Sequence, residues 1–349
     1  MAPVSLLDCP DEVIDHIIER LPGSAVKAIR VSCKRLSRIA SPYLFPVLYL
    51  SCHQLDLNVF RMVSENPLLI GGVRELVIDD TTRTDKFEKT EYQYNAPSSE
   101  LFALIREARV FHLALLVLED PKLQSQLTEF RVDASHDILS KHYQPGLAIT
   151  LFDNQSPFAE RLAGGFALAE NITKFNLVLS NFTVHRFGEW IMKEGRVSRT
   201  LSSMPQLEEL YLEPHGMPVF SALPTNMTFP RLRRVHFSCG HLHPDKFLDF
   251  LERQGSTLKS LIIEHCSLYP DDGYEDLWSN AIEDLAYFQD EGIMQLEEGA
   301  IDNVFEGTPI NGCGRNGSLK ELGSTWKYDG DGQWDLQLNA LEEEASEGC

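Results

Sequence analysis

Residues 207–212 read Leu-Glu-Glu-Leu-Tyr-Leu, with apolar residues at the first, fourth and sixth positions, and this spacing is the main indication of the fold. Four other segments show the same spacing. They are residues 73–78, 172–177, 232–237 and 258–263. Successive side chains of a strand point to opposite faces, so the fourth and sixth positions share one face. Each copy therefore predicts a short strand that buries its apolar face.

The distance between the copies indicates a repeat. The last three copies start at residues 207, 232 and 258, which are 25 and 26 residues apart. Leucine-rich repeats have a period of about 20–29 residues, and these steps lie within it. In such a repeat each strand is followed by a connecting segment that covers its back.

A helical pattern between the copies supports this interpretation. Pro244 can begin a helix, and Phe247, Leu248 and Leu251 follow at the spacing of one helix face. Strand and helix patterns alternate from residue 158 to residue 268. The sequence therefore predicts an α/β fold in which neighbouring repeats bury each other's faces, which is a solenoid.

The predicted repeat is irregular. The step from residue 172 to residue 207 is 35 residues, and the region 79–157 cannot be placed in register. A possible degenerate copy lies near residues 319–336, where the third apolar position is missing. We therefore expect an irregular solenoid over residues 51–270.

The first fifty residues carry a different pattern, in which three short segments each have an apolar stripe. Pro10 can occupy the first turn of a helix because its missing N–H costs nothing there. Apolar residues then recur at three- and four-residue spacing as far as Leu21, which is typical of an amphipathic helix. Below about 40 residues a domain rarely supports itself. We therefore expect one apolar face of this small unit to bind another protein.

These residues resemble the F-box motif. The match covers residues 4–48 and consists of Leu7-x-x-Pro10-x-Glu12-Val13, then Ile17-Ile18, then Val31-Ser-Cys-Lys-Arg-Leu36. Irregular repeats after such a motif resemble F-box proteins of the fungal type with leucine-rich repeats. The resemblance implies a three-helix F-box domain in residues 1–50, followed by the irregular leucine-rich-repeat solenoid.

The resemblance also implies a function. It is that of a substrate-recognition subunit of an SCF-type (Skp–cullin–F-box) ubiquitin ligase, located in the cytoplasm, the nucleus or both. The F-box would dock on the Skp adaptor and through it join the cullin–RING ligase. Because catalysis would belong to other subunits, we expect a non-catalytic chain without cofactors. The residues of the adaptor contact, or of the small core behind it, would be Leu7, Pro10, Ile14, Ile17, Ile18, Val31 and Leu36.

The outward-facing strand positions would bind an unknown protein substrate, since solenoids use the concave face of their sheet for binding. Charges on this face change sign from one strand to the next. We expect a groove centred on Tyr211, Arg234, His236 and Ile262. The other interpretation is a solvated sheet face with incidental ion pairs between strands.

The net charge of −21 is unevenly distributed and excludes some partners. Residues 271–349 carry 20 acidic and 3 basic side chains, whereas the rest of the chain is nearly balanced. Nucleic acid is a disfavoured partner, because binding it requires Lys and Arg to displace counterions. We expect the acidic C-terminal segment 271–349 to be partly disordered. No run of about 18 apolar residues exists, so we expect no membrane span.

One cluster of possible metal ligands occurs in the sequence. His236, Cys239, His241 and His243 lie within eight residues and could ligate zinc. His236 and Cys239 would leave their strand in different directions, however, so the sequence predicts no metal site. The chain also lacks the Gly-x-x-x-x-Gly-Lys, His-Glu-x-x-His and Gly-x-Ser-x-Gly motifs of phosphate binding and hydrolysis.

Two other functions remain open at this point. The first alternative is a leucine-rich-repeat scaffold or regulator that acts outside a ubiquitin ligase, with N-terminal helices that only cap the repeats. The second is an enzyme without a known motif, which would need a deep polar pocket containing a strongly perturbed titratable residue.

Overall fold

The computed structural model describes residues 6–51, 53–79, 111–133, 146–154, 156, 161, 165–166, 170–180, 188–268, 277–302, 304–306, 320–321, 324–328 and 334–338. Within these residues the fold is mixed α/β. A long sheet of mainly parallel strands has helices packed along it, which confirms the coarse prediction of the fold class.

Eleven of the described strands form one sheet. Its parallel strands are β1 (Val47–Ser51), β2 (Glu75–Asp79), β3 (Glu129–Asp133), β5 (Lys174–Ser180), β6 (Glu209–Glu213), β7 (Arg234–Ser238), β9 (Ser260–Glu264) and β11 (Glu298–Asp302), which lie side by side in chain order. The short β4 (Leu147–Ala148) also pairs with β5. Beyond β11, β14 (Ser324–Tyr328) and β15 (Trp334–Leu338) continue the sheet in antiparallel pairing.

A second, four-stranded sheet lies beside the carboxyl ends of these strands. It contains β8 (His241–Leu242), β10 (Ser267–Leu268), β12 (Phe305–Glu306) and β13 (Lys320–Glu321). The first three of these strands pair in parallel, and β13 pairs antiparallel to β12. The connections that leave β7, β9 and β11 are therefore tied to one another as well.

The five copies of the sequence pattern form five of the parallel strands, as predicted. The apolar residues at the first, fourth and sixth positions are all buried. They are Val73, Leu76, Ile78, Ile172, Phe175, Leu177, Leu207, Leu210, Leu212, Leu232, Val235, Phe237, Leu258, Leu261 and Ile263. Stacking of these side chains from strand to strand builds one continuous hydrophobic core.

Sequence reasoning missed a sixth copy. Residues 127–132 read Leu-Thr-Glu-Phe-Arg-Val, and Leu127, Phe130 and Val132 are buried in the same core. The rings of Phe130 and Phe175 stack with centroids 5.3 Å apart across β3 and β5. This strand lies inside the region 79–157 that could not be placed in register, because no regular period leads to it.

One hydrogen-bond arrangement repeats at the start of each of these strands. The backbone carbonyl at the second position of one copy accepts from two consecutive N–H groups of the next copy. For example, the Glu208 carbonyl accepts from Arg233 and Arg234 at 2.8 and 3.0 Å. The same arrangement occurs from Pro46 through to Lys259, with distances of 2.8–3.1 Å. It sets the register of neighbouring strands before their ladders begin.

Most of the helices belong to the segments of the chain that connect successive strands. Those of the N-terminal region are α1 (Asp11–Glu19), α2 (Gly23–Arg30), α3 (Lys34–Ala40) and α4 (Gln54–Ser64). Further helices are Pro121–Gln124, Gly188–Lys193, Arg196–Ser202, Val219–Ala222, Pro244–Gln254 and Leu277–Asp290, and residues 111–118 are helical too. None of the helices in the described part of the chain is long and apolar enough to cross a membrane.

The helix predicted to begin at Pro244 is present, with a small difference on its inner face. Phe247 and Leu251 are buried as expected, and Phe250 is buried where Leu248 was predicted. Phe250 contacts the rings of Phe220 and Phe237, with centroid distances of 5.9 and 5.8 Å. The helix therefore packs on β7 through an aromatic cluster.

The N-terminal helices have a small core of their own, separate from that of the sheet. Residues of α1, α2 and α3 bury their apolar faces against one another. The buried members are Ile14, Ile18, Val26, Leu36, Ile39 and Ala40. The helices end before β1, which belongs to the large sheet and crosses the domain boundary predicted at residue 50.

The sheet also extends into the acidic segment predicted for residues 271–349. The helix Leu277–Asp290 buries Trp278 and Leu285, and β11 pairs in parallel with β9. In the stretch of the possible degenerate copy near residues 319–336, β14 runs antiparallel to β11. The pairing direction thus changes after β11.

The junction between the N-terminal helices and the sheet depends on a close backbone approach. The 3-10 turns Ser41–Tyr43 and Ile70–Gly72 lie against each other there. A Cβ atom added at Gly72 would lie 1.5 Å from the Pro42 carbonyl oxygen, whereas one added at Gly71 meets nothing within 4 Å. Only glycine therefore fits at position 72.

We predict that Gly72→Ala destabilises the chain by about 1–3 kcal/mol, the usual cost of forcing extra atoms into a packed site. Urea denaturation of purified protein measures this change. Gly71→Ala, next in the chain but facing open space, is the matched control and should change the free energy of unfolding by less than about 1 kcal/mol. Equal effects of the two variants would contradict the proposed role of the close approach.

Candidate functional site

The open face of the large sheet contains a groove of about 340 Å³. It lies across β3, β5, β6, β7, β9 and β11. Strand register aligns the residues of this face in two rows that run across the strands. The first row is Glu129, Lys174, Glu209, Arg234, Ser260 and Glu298, and the second is Arg131, Asn176, Tyr211, His236 and Ile262.

The first row alternates in charge. Lys174 Nζ lies 3.3 Å from a carboxylate oxygen of Glu209, and Arg234 Nη1 lies 3.9 Å from the same oxygen. Glu209 thus pairs with a cation on each neighbouring strand. Side chains of this row remain partly exposed, so their pairs contribute little to stability and can exchange partners.

The second row is more buried and contains aromatic rings. The rings of Tyr211 and His236 meet edge to face, with centroids 4.6 Å apart. His236 Nε2 lies 3.1 Å from a carboxylate oxygen of Glu264. Burial lowers the pKa of His236, and the nearby Glu264 opposes that change. Ile262, half-buried beside them, adds an apolar contact surface.

Two polar atoms in the second row, Nε of Arg131 and Oδ1 of Asn176, have no hydrogen-bond partner. Oδ1 of Asn176 is buried in the floor of the groove and accepts no hydrogen bond. An unsatisfied buried acceptor is unfavourable by about 1–3 kcal/mol.

All four residues predicted to form the centre of the groove line it. Tyr211, Arg234, His236 and Ile262 lie on three consecutive strands, in the two rows described above. Sequence reasoning missed Glu129 and Arg131, which line the groove from β3. The Leu-Thr-Glu-Phe-Arg-Val pattern at residues 127–132 is the signal that could have found them.

Tyr211 links the groove to a cluster at the carboxyl end of β6. Its hydroxyl donates a 2.5 Å hydrogen bond to Oε2 of Glu213, whose side chain is completely buried. Burial, together with the Glu213 charge, raises the pKa of Tyr211. His215 Nε2 lies 3.0 Å from Oε1 of the same carboxylate. Burial raises the pKa of the nearby Cys239 thiol to about 11.

The four residues of the sequence cluster do not converge on one point. His236 pairs with Glu264 in the groove, and His241 Nδ1 contacts the Ser267 hydroxyl at 2.5 Å. His243 precedes the helix Pro244–Gln254. Cys239 instead approaches Glu213 and His215, and the ligand atoms of these three lie within 4.8 Å of one another. Sequence reasoning missed His215 altogether.

The structure divides the predicted adaptor-binding residues into two groups. Ile14, Ile18 and Leu36 are buried in the small N-terminal core. The other four lie at the surface. They are Leu7 and Ile17, which are 46% and 39% exposed, Val31, which is 82% exposed, and Pro10.

Arg35 holds the segment before α1 against α3. Its guanidinium donates to the carbonyl oxygens of Leu7 and Cys9 at 2.6 and 2.7 Å and to Oδ1 of Asp11 at 2.8 Å. Arg38 donates to the other oxygen of Asp11 at 2.6 Å. The hydrogen bond from Arg35 lowers the pKa of Asp11. This planar fork of donors fixes the position of the exposed Leu7.

No known protein-family model matches this chain, and no curated protein matches it at a significant level.

We predict that Glu129→Gln stabilises the fold at neutral pH by a few tenths of a kcal/mol. Burial, and then the neighbouring Glu75 carboxylate, raise the pKa of Glu129, so its ionised form is disfavoured in the folded chain. The penalty is absent below the unfolded pKa of about 4.3 and develops as pH rises through the folded pKa. Glu129 is half-buried and solvent still screens its charge, so the effect stays within the range of surface charges.

Urea denaturation at pH 7 and at pH 3.5 measures this difference. The stabilisation by Glu129→Gln should be present at pH 7 and vanish at pH 3.5. Glu170→Gln removes one carboxylate from an exposed turn outside the groove and serves as the control. A gain from Glu129→Gln that persists at pH 3.5 would show that the raised pKa is not its cause.

Proposed function

We propose that the chain is the substrate-recognition subunit of an SCF-type ubiquitin ligase. Residues 4–48 form the F-box and dock on the Skp adaptor, which links the chain to the cullin–RING ligase. The irregular leucine-rich repeats that follow bind a target protein in the groove. The chain itself is non-catalytic under this proposal and acts in the cytoplasm, the nucleus or both.

The observation that carries the proposal is the exposed apolar surface of the N-terminal helices. Leu7, Val13, Ile17 and Val31 are exposed although the small core behind them is closed. A group of exposed apolar side chains that takes no part in the core is typical of a protein-binding surface. The same positions belong to the F-box motif in the sequence.

The groove supports the second half of the proposal. Two rows of side chains offer alternating charges and aromatic edges. Such a surface fits a polypeptide with mixed charge better than it fits nucleic acid, whose phosphates require an excess of Lys and Arg. A protein target is therefore the favoured occupant.

We predict that Ile17→Asp and Val31→Asp each weaken co-precipitation with the Skp adaptor at least tenfold. A buried aspartate in the docked complex would lose its water without gaining a partner. Both positions are exposed in the free chain, so the melting temperature should stay within about 2 °C of wild type because surface substitutions change stability little. Adaptor binding by purified components measures the first effect, and thermal unfolding measures the second.

Leu55→Asp is the matched control for this experiment. Leu55 lies on α4 and is 66% exposed, but it is outside the F-box motif. Its variant should bind the adaptor like wild type. If wild type itself fails to bind, the F-box proposal is wrong and the alternative of a repeat scaffold outside a ubiquitin ligase is favoured.

We predict that Arg234→Glu weakens the binding of target proteins to the chain. The substitution reverses the charge between Glu209 and the open groove, so a bound acidic group would be repelled. Affinity capture with the ligase inactivated, followed by quantitative mass spectrometry, should show targets depleted at least fivefold. Arg199→Glu, an exposed arginine on the helix Arg196–Ser202, should retain them. Equal target recovery with both variants would contradict recognition through the groove.

A further inference from the structure

We propose that Glu213, His215 and Cys239 form a binding site for a divalent cation of the zinc type. Their ligand atoms, a carboxylate oxygen, an imidazole nitrogen and a thiol sulfur, all lie within 4.8 Å of one another. Among the described residues this is the one group of three or more such side chains that converges in this way. The site goes beyond the proposed function, which requires no metal.

The donor set selects the class of cation. Calcium and magnesium take oxygen ligands, so a thiol and an imidazole argue against both. Zinc takes sulfur, nitrogen and oxygen ligands together. Three protein ligands are the number found in zinc sites that keep a fourth position for water or a bound molecule.

The distances are compatible with such a site. Zinc bonds of about 2.0–2.3 Å in a tetrahedral arrangement place neighbouring ligand atoms roughly 3.3–3.8 Å apart. His215 Nε2 and Glu213 Oε1 are already 3.0 Å apart, and every pair of ligand atoms lies within 4.8 Å. Adjustments of about 1 Å, within reach of side-chain rotation, would therefore close the group around a cation.

The backbone brings the three residues together from two strands. Glu213 is the last residue of β6, and Cys239 directly follows β7. The N–H of Gly216 donates to the Cys239 carbonyl at 2.7 Å, and the Cys239 N–H donates to the Glu264 carbonyl at 3.1 Å. The first bond holds the loop that carries His215 beside the loop that carries Cys239, and the second ties Cys239 to the last residue of β9.

The surroundings of Glu213 orient its carboxylate towards this point. The Tyr211 hydroxyl donates to Oε2, while Oε1 faces His215. Ligating carboxylates in metal sites are commonly held by such an outer hydrogen bond. The Glu213 side chain is also fully buried, and a cation would compensate a charge that is costly away from water.

Cobalt(II), which occupies zinc sites and absorbs light, is the probe that tests the proposal. The full-length reduced chain is titrated with Co²⁺ and then with Zn²⁺. We expect one equivalent of Co²⁺ to give a thiolate-to-metal charge-transfer band, and Zn²⁺ to abolish it by displacement. Cys239→Ser should remove the band, and His215→Asn should weaken Co²⁺ binding at least tenfold. Asn is chosen because it tolerates the positive φ of 29° at position 215.

Matched controls come from the chain itself, which has seven cysteines and 11 histidines. Cys33→Ser changes a free cysteine in the N-terminal module. His265→Asn changes an exposed histidine after β9 that also has a positive φ, of 51°. Both should leave the band unchanged. The absence of a band in wild type, or its persistence in Cys239→Ser, overturns the proposal.

Thermal unfolding distinguishes a variant that has lost metal binding from one that fails to fold. Zn²⁺ should raise the melting temperature of the wild-type chain, and a chelator should reverse this change. His215→Asn should melt like metal-free wild type and show no rise with Zn²⁺. An equal rise in that variant would overturn the proposal. Because no adaptor or target is present, the outcome is independent of the proposed ligase function.

Discussion

Paired backbone hydrogen bonds at the start of successive parallel strands hold the large sheet in register. Before each strand, one backbone carbonyl accepts from two consecutive N–H groups of the neighbouring strand. The first of these carbonyls belongs to Pro46 and the last to Lys259. This fixes the register, and the fourth and sixth positions of every copy then point into one core. A slip of one residue would turn these apolar side chains to the open face. Backbone hydrogen bonds and apolar burial thus specify the same arrangement.

A fixed register has a consequence for the opposite face. Side chains that are 25–45 residues apart in the chain become neighbours in a row, as Arg131, Asn176, Tyr211, His236 and Ile262 do. The register of the strands is therefore sufficient to bring the residues of the groove together. Chemistry can vary at the outward positions, because only the inward ones carry the core. Charged, aromatic and amide side chains can therefore occupy this face without disturbing the core.

The N-terminal helices follow a different principle. Their six buried residues close a small core, and Arg35 ties the preceding segment to it. The close approach of Gly72 to Pro42 then joins this module to the sheet. The apolar side chains that this core does not bury, among them Ile17 and Val31, lie exposed on the surface of the module. Under the proposed function, the groove would bind one protein and the apolar surface of the module would bind another.

The amino-acid pattern predicts five of the strands and their inward faces, because period and polarity are local properties. It did not reveal β3, since the step of 54 residues from Leu127 back to Val73 matches no single repeat. It could not separate Ile14 from Ile17, because both are apolar on one helix and only packing buries the first. The groove centre followed from strand alternation. Glu213, His215 and Cys239 come together only on folding, because strand register and loop conformation set distances that the spacing in the sequence does not contain.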